Sequence, residues 1–188
     1  MTNMHYDTTA HHFQLLIEQL SLSVDAIADI AGVAADQIVQ TFVNEQKLLC
    51  CGIGIDGPSA GLMAALLHKG MSRERPSLPA IELTTATSEP QEGASHWLCE
   101  QLGALGQPGD MAVIFASELE QASLEKIQQA LTKRQCTAVW IGAQGPGPSL
   151  TFPGAEPLTN LSLCQTSAIC LAELIDVAMF GPMEATPL

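Results

Sequence analysis

The chain is poor in charge and in aromatic rings. Of its 188 residues, 14% are charged and 4% are aromatic. With one Tyr, two Trp and five Phe, the core has to be built from Leu, Ala, Ile, Val and Met. Basic residues are scarce: 7 Lys and Arg stand against 20 Asp and Glu, for a net charge of −13. There is no basic stripe to neutralise phosphates, which argues against direct binding of nucleic acid. A small anionic substrate would also meet an unfavourable long-range field, whereas a partner protein with a basic face would not. The cysteines Cys50, Cys51, Cys99, Cys136, Cys164 and Cys170 form no Cys-x-x-Cys pair. They are expected to be buried free thiols of a reducing compartment, and their spacing implies no zinc site. No secretory signal is read, nor an apolar run long enough to span a bilayer, so a cytoplasmic location is expected. Repeats and low-complexity tracts are absent as well.

What remains is an apolar chain, 47% hydrophobic. Its length suits one domain with a sizeable core. So much apolar surface with so few charges predicts that part of it is covered by other subunits of a homo-oligomer.

The chain is organised around residues 48–83. Leu48-Leu49-Cys50-Cys51 is an apolar run too short for a helix, stopped by Gly52. Gly52 and Gly54 make a tight turn, and Ser59 or Asp56 is placed to cap the helix that follows, over about 59–69. That helix is apolar over most of its circumference and should be buried. Pro76 and Pro79 break the chain before a second strand, Ala80-Ile81-Glu82-Leu83. Strand, glycine turn, helix, strand is a βαβ unit, which builds a parallel sheet and binds ligands at its first turn.

Elsewhere, residues 1–12 are polar, with His5, His11 and His12 close together. They read as an ordered helix start or a frayed, solvated end; a histidine metal cluster is the sharper alternative. Residues 13–22, 25–31 and 34–45 have helical spacing. A loop is expected at 84–95 and a helix at 96–105. Strands follow at 111–115 and 136–141, with a helix between them that Ser117 or Ser123 starts and that runs to about Arg134. Residues 142–157, rich in Gly and Pro, read as an irregular loop. No clear fifth strand follows, and residues 158–163 are a weak candidate. A last helix is expected at 165–179, stopped by Gly181-Pro182.

Several runs resemble a known family. Cys51-Gly52-Ile53-Gly54-Ile55-Asp56 is similar to a Cys-Gly-Asn-Gly-Gly-Ser turn, and Glu74-Arg75-Pro76-Ser77-Leu78-Pro79-Ala80-Ile81 to a Glu-Arg-Pro-x-x-Pro-Ala-Ile run. Both belong to the sugar isomerase (SIS) fold, in the branch of the phosphoheptose isomerases and the DnaA initiator-associating proteins. The run from Ala104 to Asp110 also matches, as do Leu171-Ala172-Glu173-Leu174-Ile175-Asp176 and Met179-Phe180-Gly181. The resemblance implies an α/β three-layer sandwich with a mostly parallel sheet flanked by helices. It further implies an N-terminal helical oligomerisation region (1–46), an α/β core (47–188) and a homotetramer.

It also implies a catalytic apparatus that these residues lack. The serine ending the family's first turn falls on Asp56, whose carboxylate would repel a phosphate. The second hydroxyl-rich cradle falls on Ala116-Ser117-Glu118-Leu119-Glu120-Gln121, where one hydroxyl survives. Glu118 and Glu120 are alternatively residues favoured by a helix dipole. The family's metal-ligating His falls on Leu62, its Glu pair on Ala65 and Leu66, its catalytic His on Ile169 and its Gln ligand on Leu161. His68 on the same helix reads as a solvated or capping residue. No catalytic residue, metal or cofactor is therefore assigned. The altered ligand crevice would comprise Gly52, Gly54, Asp56, Ser117, Glu118 and Gln121. By resemblance, Met179 and Phe180 would contact a partner, the replication initiator DnaA; the plainer alternative is a packing contact. The expected function is a non-catalytic scaffold that binds DnaA. The alternatives are a sedoheptulose 7-phosphate isomerase or sugar-phosphate-binding protein, and a sensor of some uncharged or cationic ligand.

Overall fold

A computed structural model describes residues 2–71, 73–83 and 91–182. The element order is α1 (Thr2–Val43), β1 (Leu48–Gly52), a 3-10 turn (Gly54–Asp56), α2 (Gly57–Lys69), β2 (Ala80–Leu83), α3 (Gln91–Leu105), β3 (Met111–Phe115), α4 (Gln121–Arg134), β4 (Thr137–Ile141), β5 (Ser149–Leu150) and α5 (Pro157–Phe180). The five strands form one sheet in the order β2-β1-β3-β4-β5, and every pairing is parallel.

The sheet is covered on both faces, which is why its inner strands β1, β3 and β4 read as nearly continuous apolar runs. Leu48, Cys50, Met111, Val113, Phe115, Val139 and Ile141 point to one layer, shared with α1, α2 and α5. Leu49, Cys51, Ala112, Ile114, Ala138 and Trp140 point to the other, under α3 and α4. The alternation follows from the two-residue side-chain period of a strand.

The expected α/β sandwich is present, with several local corrections. The N-terminal region is one continuous helix that runs through the polar start and the three segments of helical spacing. Its C-terminal half buries Ala31, Ala34, Ala35, Ile38 and Phe42 in the core. Its N-terminal half leaves Tyr6, Phe13, Ile17, Leu20 and Val24 exposed. Their steps of seven, four, three and four residues trace a coiled-coil seam.

Of the expected loop at 84–95, residues 84–90 lie outside the described residues, and the rest already belongs to α3. A fifth strand does exist inside the Gly/Pro-rich loop. Trp140 N donates to Pro148 O and Gly142 N to Leu150 O, so two residues suffice to extend the sheet. Residues 158–163 are not a strand; they open α5. Pro157 sits in its first turn, where a missing N–H costs nothing. α5 also overturns the expectation that no run is long enough to cross a membrane, for by length and hydropathy it qualifies. It uses that apolarity in the core, where Leu163, Cys164, Ala168, Leu171, Ala172 and Ile175 pack between α1 and α2.

Candidate functional site

The strand order places β1 between β2 and β3. The chain leaves β1 in one direction for β2, and β3 leads away in the other. In open parallel sheets the crevice at such a reversal, outside the carboxyl ends of the strands, is the usual ligand site. Two loops border it here: residues 52–57 after β1 and residues 116–120 after β3.

The first loop depends on its glycines. A Cβ on Gly52 would collide with the Asp56 carbonyl and with Gly57. Gly54 has φ +59°, a left-handed conformation that costs glycine nothing. The resulting turn bonds Asp56 N to Ile53 O and brings Asp56 to the N-cap position of α2.

Asp56 does not cap α2, and neither does Ser59. The Asp56 side chain makes no bond to the helix's first turn, and Ser59 lies inside the helix, its hydroxyl without a partner among the described residues. The carboxylate crosses to the second loop instead. Its Oδ2 accepts from Ser117 N at 2.6 Å and from Ser117 Oγ at 2.8 Å. Asp56 is 1% exposed, and its Oδ1 meets no donor among the described residues. Burial pushes the Asp56 carboxyl above the usual carboxylate range; the two Ser117 bonds oppose that shift, and Glu118 adds to it.

Two residues that the sequence reading passed over complete the cluster. Asn160, in the first turns of α5, donates from Nδ2 to Ser117 O at 2.6 Å and to Gly142 O at 3.4 Å. Cys164, one turn on, lies 3.8 Å from Asn160 Oδ1. Its thiol is pushed up by burial and then by the nearby Asp56 charge. A buried asparagine on an apolar helix is the signal that could have marked this end of α5, had the segment not been read as a strand.

The structure thus joins Gly52, Gly54, Asp56 and Ser117 in one place. Glu118 sits beside them, exposed, and contributes charge. Gln121 turns away and donates to Glu125 within α4. Neither Ser117 nor Ser123 starts that helix; Glu120 occupies its N-cap, and its side chain does not cap the first turn. His68 bonds the Ala80 carbonyl at 2.7 Å, tying the end of α2 to β2.

Met179 and Phe180 lie at the far end of α5, half-buried against the core. The Arg75 guanidinium carbon is 5.4 Å from the centre of the Phe180 ring. Arg73 donates to the Phe180 carbonyl at 2.9 Å and to Gly181 O at 2.6 Å.

The positions where the resemblance would place a metal and a proton-transfer pair are Leu62, Ala65, Leu66, Leu161 and Ile169. Their side chains carry no donor atom, and they do not fit a metal. Among the described residues no group of three or more His, Cys, Asp or Glu is arranged to hold a metal ion.

No family model matches the chain. It is 31% identical over 189 residues to a phosphoheptose isomerase of Chromohalobacter salexigens, across 92% of this chain and 95% of that protein. It is 29% identical over 175 residues to the DnaA initiator-associating protein DiaA of Photorhabdus laumondii, across 84% of this chain and 88% of that one. A solved phosphoheptose isomerase from Francisella tularensis matches the fold with a TM-score of 0.80 at 21% identity, over 92% of this chain and 98% of that one.

Proposed function

Because the chain belongs to the family of phosphoheptose isomerases and DiaA proteins, built on the SIS fold, we propose that it is a non-catalytic member of that family. In this reading it is a cytoplasmic homotetramer that binds the replication initiator DnaA. One observation carries it: the Asp56 carboxylate lies on the Ser117 donors, where an isomerase would grip the phosphate of its substrate. The apolar residues at 62, 65, 66, 161 and 169 support it too. Moving a proton between sugar carbons needs a base within hydrogen-bond reach, and Leu, Ala and Ile supply none.

With catalysis set aside, the fold offers an assembly. Several weak sites on one oligomer gather several partner molecules by raising their effective concentration. DiaA of Photorhabdus laumondii carries this association in its name, and the runs ending in Met179 and Phe180 are those that resemble it. The acidic surface suits a partner with a basic face.

The test is retention of DnaA by the immobilised full-length protein at physiological salt, with its oligomer confirmed by light scattering. Retention should weaken for Phe180→Ala and for Met179→Ala. Thermal unfolding of both variants is measured alongside, because Phe180 also packs on Arg75. An intact oligomer that retains no DnaA ends the proposal. A second reading, an active phosphosugar isomerase, is favoured by the similarity to the Chromohalobacter salexigens protein. Turnover of sedoheptulose 7-phosphate above background would establish it in place of the first.

A further inference from the structure

We infer that Asp56 is a built-in occupant of an oxyanion cradle: its carboxylate fills, from within the chain, the place a phosphoryl group would take, and so decides that this crevice accepts no phosphoester. The inference rests on the same Asp56–Ser117 contact as the non-catalytic reading above, and it concerns anions, not DnaA.

Three features carry it. The first is convergence. Ser117 N–H and Ser117 Oγ–H both aim at one carboxylate oxygen, at 2.6 and 2.8 Å. A backbone N–H and a hydroxyl from one loop, meeting at the reversal point of a parallel sheet, are donors of the kind a phosphoryl oxygen takes up.

The second is a broken local rule. An Asp at an N-cap ordinarily accepts from the first turn of its own helix. Asp56 holds the N-cap position and makes no such bond. It spends its carboxylate on a residue 61 positions away, and Oδ1 is left buried without a donor. An unsatisfied buried oxygen is unfavourable, so the Ser117 donors must supply what the helix end would otherwise give. Ser59, also fully buried, has an unclaimed hydroxyl in the same turn of α2.

The third is independence. The Ser117 loop is fixed from its other side, through Asn160 Nδ2 on the Ser117 carbonyl at 2.6 Å and through Ala116 N on Ile141 O at 2.9 Å. The donors therefore stay in place when the Asp56 side chain is removed. While that side chain is present, the tethered carboxylate already holds both donors, and free phosphate has to displace an intramolecular partner to reach them.

The experiment compares the wild-type chain with Asp56→Ser and Asp56→Ala, using inorganic phosphate as the probe against chloride at matched ionic strength. The wild-type melting temperature should not respond to phosphate. Either variant should rise by about 3–6 °C, the shift expected when ligand is in roughly tenfold excess over its Kd. Wild-type protein supplies a measurement that needs no variant. In a 15N–1H spectrum the Ser117 amide should stay put on adding phosphate and should move when acid protonates Asp56. A wild-type Ser117 amide that follows phosphate overturns the inference, as do folded variants that gain no phosphate response. If neither variant folds, the wild-type spectrum decides alone. DnaA retention by the same variants reports on the scaffold reading separately.

Discussion

Arg75 Nη2 lies 2.8 Å from Asp176 Oδ1, with both side chains almost wholly buried. Arg75 Nε meets the same oxygen at 2.8 Å. The guanidinium also donates to Leu66 O, Leu67 O and Pro76 O. Leu66 and Leu67 lie in the last turn of α2, where their carbonyls also accept from Gly70 N and Leu78 N. One side chain thus closes α2 and ties it to α5, which is the physical content of the Arg-Pro run. Arg75→Ala should destabilise the fold by about 3–5 kcal/mol, because it strands a buried carboxylate. Arg75→Lys should recover little, since one ammonium cannot serve so many acceptors. Urea unfolding measures both, and a loss below about 1 kcal/mol for Arg75→Ala would refute this account of the pair.

Asp56 gives a pH dependence of definite sign. Burial raises its native pKa above the ordinary 3.8. Between those two values the folded chain holds a proton that the unfolded chain has released. Stability from this group is therefore complete below about pH 3.8, and it is lost as pH rises through the native pKa. Asp56→Asn removes that segment. The difference in unfolding free energy between wild type and Asp56→Asn, followed from acid to neutral pH, should fall with rising pH and then level off. A flat difference curve would mean that the carboxyl is not perturbed.

The exposed seam on α1 should be an assembly surface. Ile17 sits in its middle and is exposed in the single chain. Burying such a side chain contributes about 1.5–3 kcal/mol, and each copy in the assembly repeats the gain. Ile17→Glu should lower the mass seen by light scattering at micromolar protein while leaving the far-ultraviolet circular dichroism unchanged. An unaltered mass would place the subunit contacts elsewhere.

Gly52→Ala should be poorly tolerated although Gly52 ends an ordinary strand. The new methyl group would run into the Asp56 carbonyl and Gly57, both main chain and unable to step aside cheaply. Overpacking of this kind costs about 1–3 kcal/mol. The displaced turn should also shift the Ser117 amide resonance. A variant with wild-type stability and an unmoved Ser117 amide would show that the turn can relax freely.

Much of the fold was legible because it is written in short-range pattern. β1, β3 and β4 are apolar runs ended by small or polar residues, β2 is marked by the prolines before it, and α2 and α4 have clear helical spacing between breakers. Legibility failed where tertiary contact outweighed local signal. Residues 158–163 intersperse Leu with Thr, Asn and Ser, yet they form helix, which buries Thr159, Asn160 and Leu163 together on its inner side. β5 needs only two residues, since β4 supplies its hydrogen-bond partners. At the crevice, the sequence showed a carboxylate replacing a hydroxyl. It did not show that carboxylate reaching Ser117, because the two residues meet only after two strands have paired.

The all-parallel sheet also bears on how the chain reaches its native state. Leu48 stands in register with Ala80 of β2 and with Met111 of β3, and among the described residues no two strands are joined by a hairpin. The β1–β2, β1–β3 and β3–β4 ladders must each wait for a long connection to close, so refolding belongs among the slower, millisecond-to-second class of domains. During that interval the greasy edges of unpaired strands lie open. Nascent chains are then exposed to misassembly, and chaperones have most to act on before the sheet is complete.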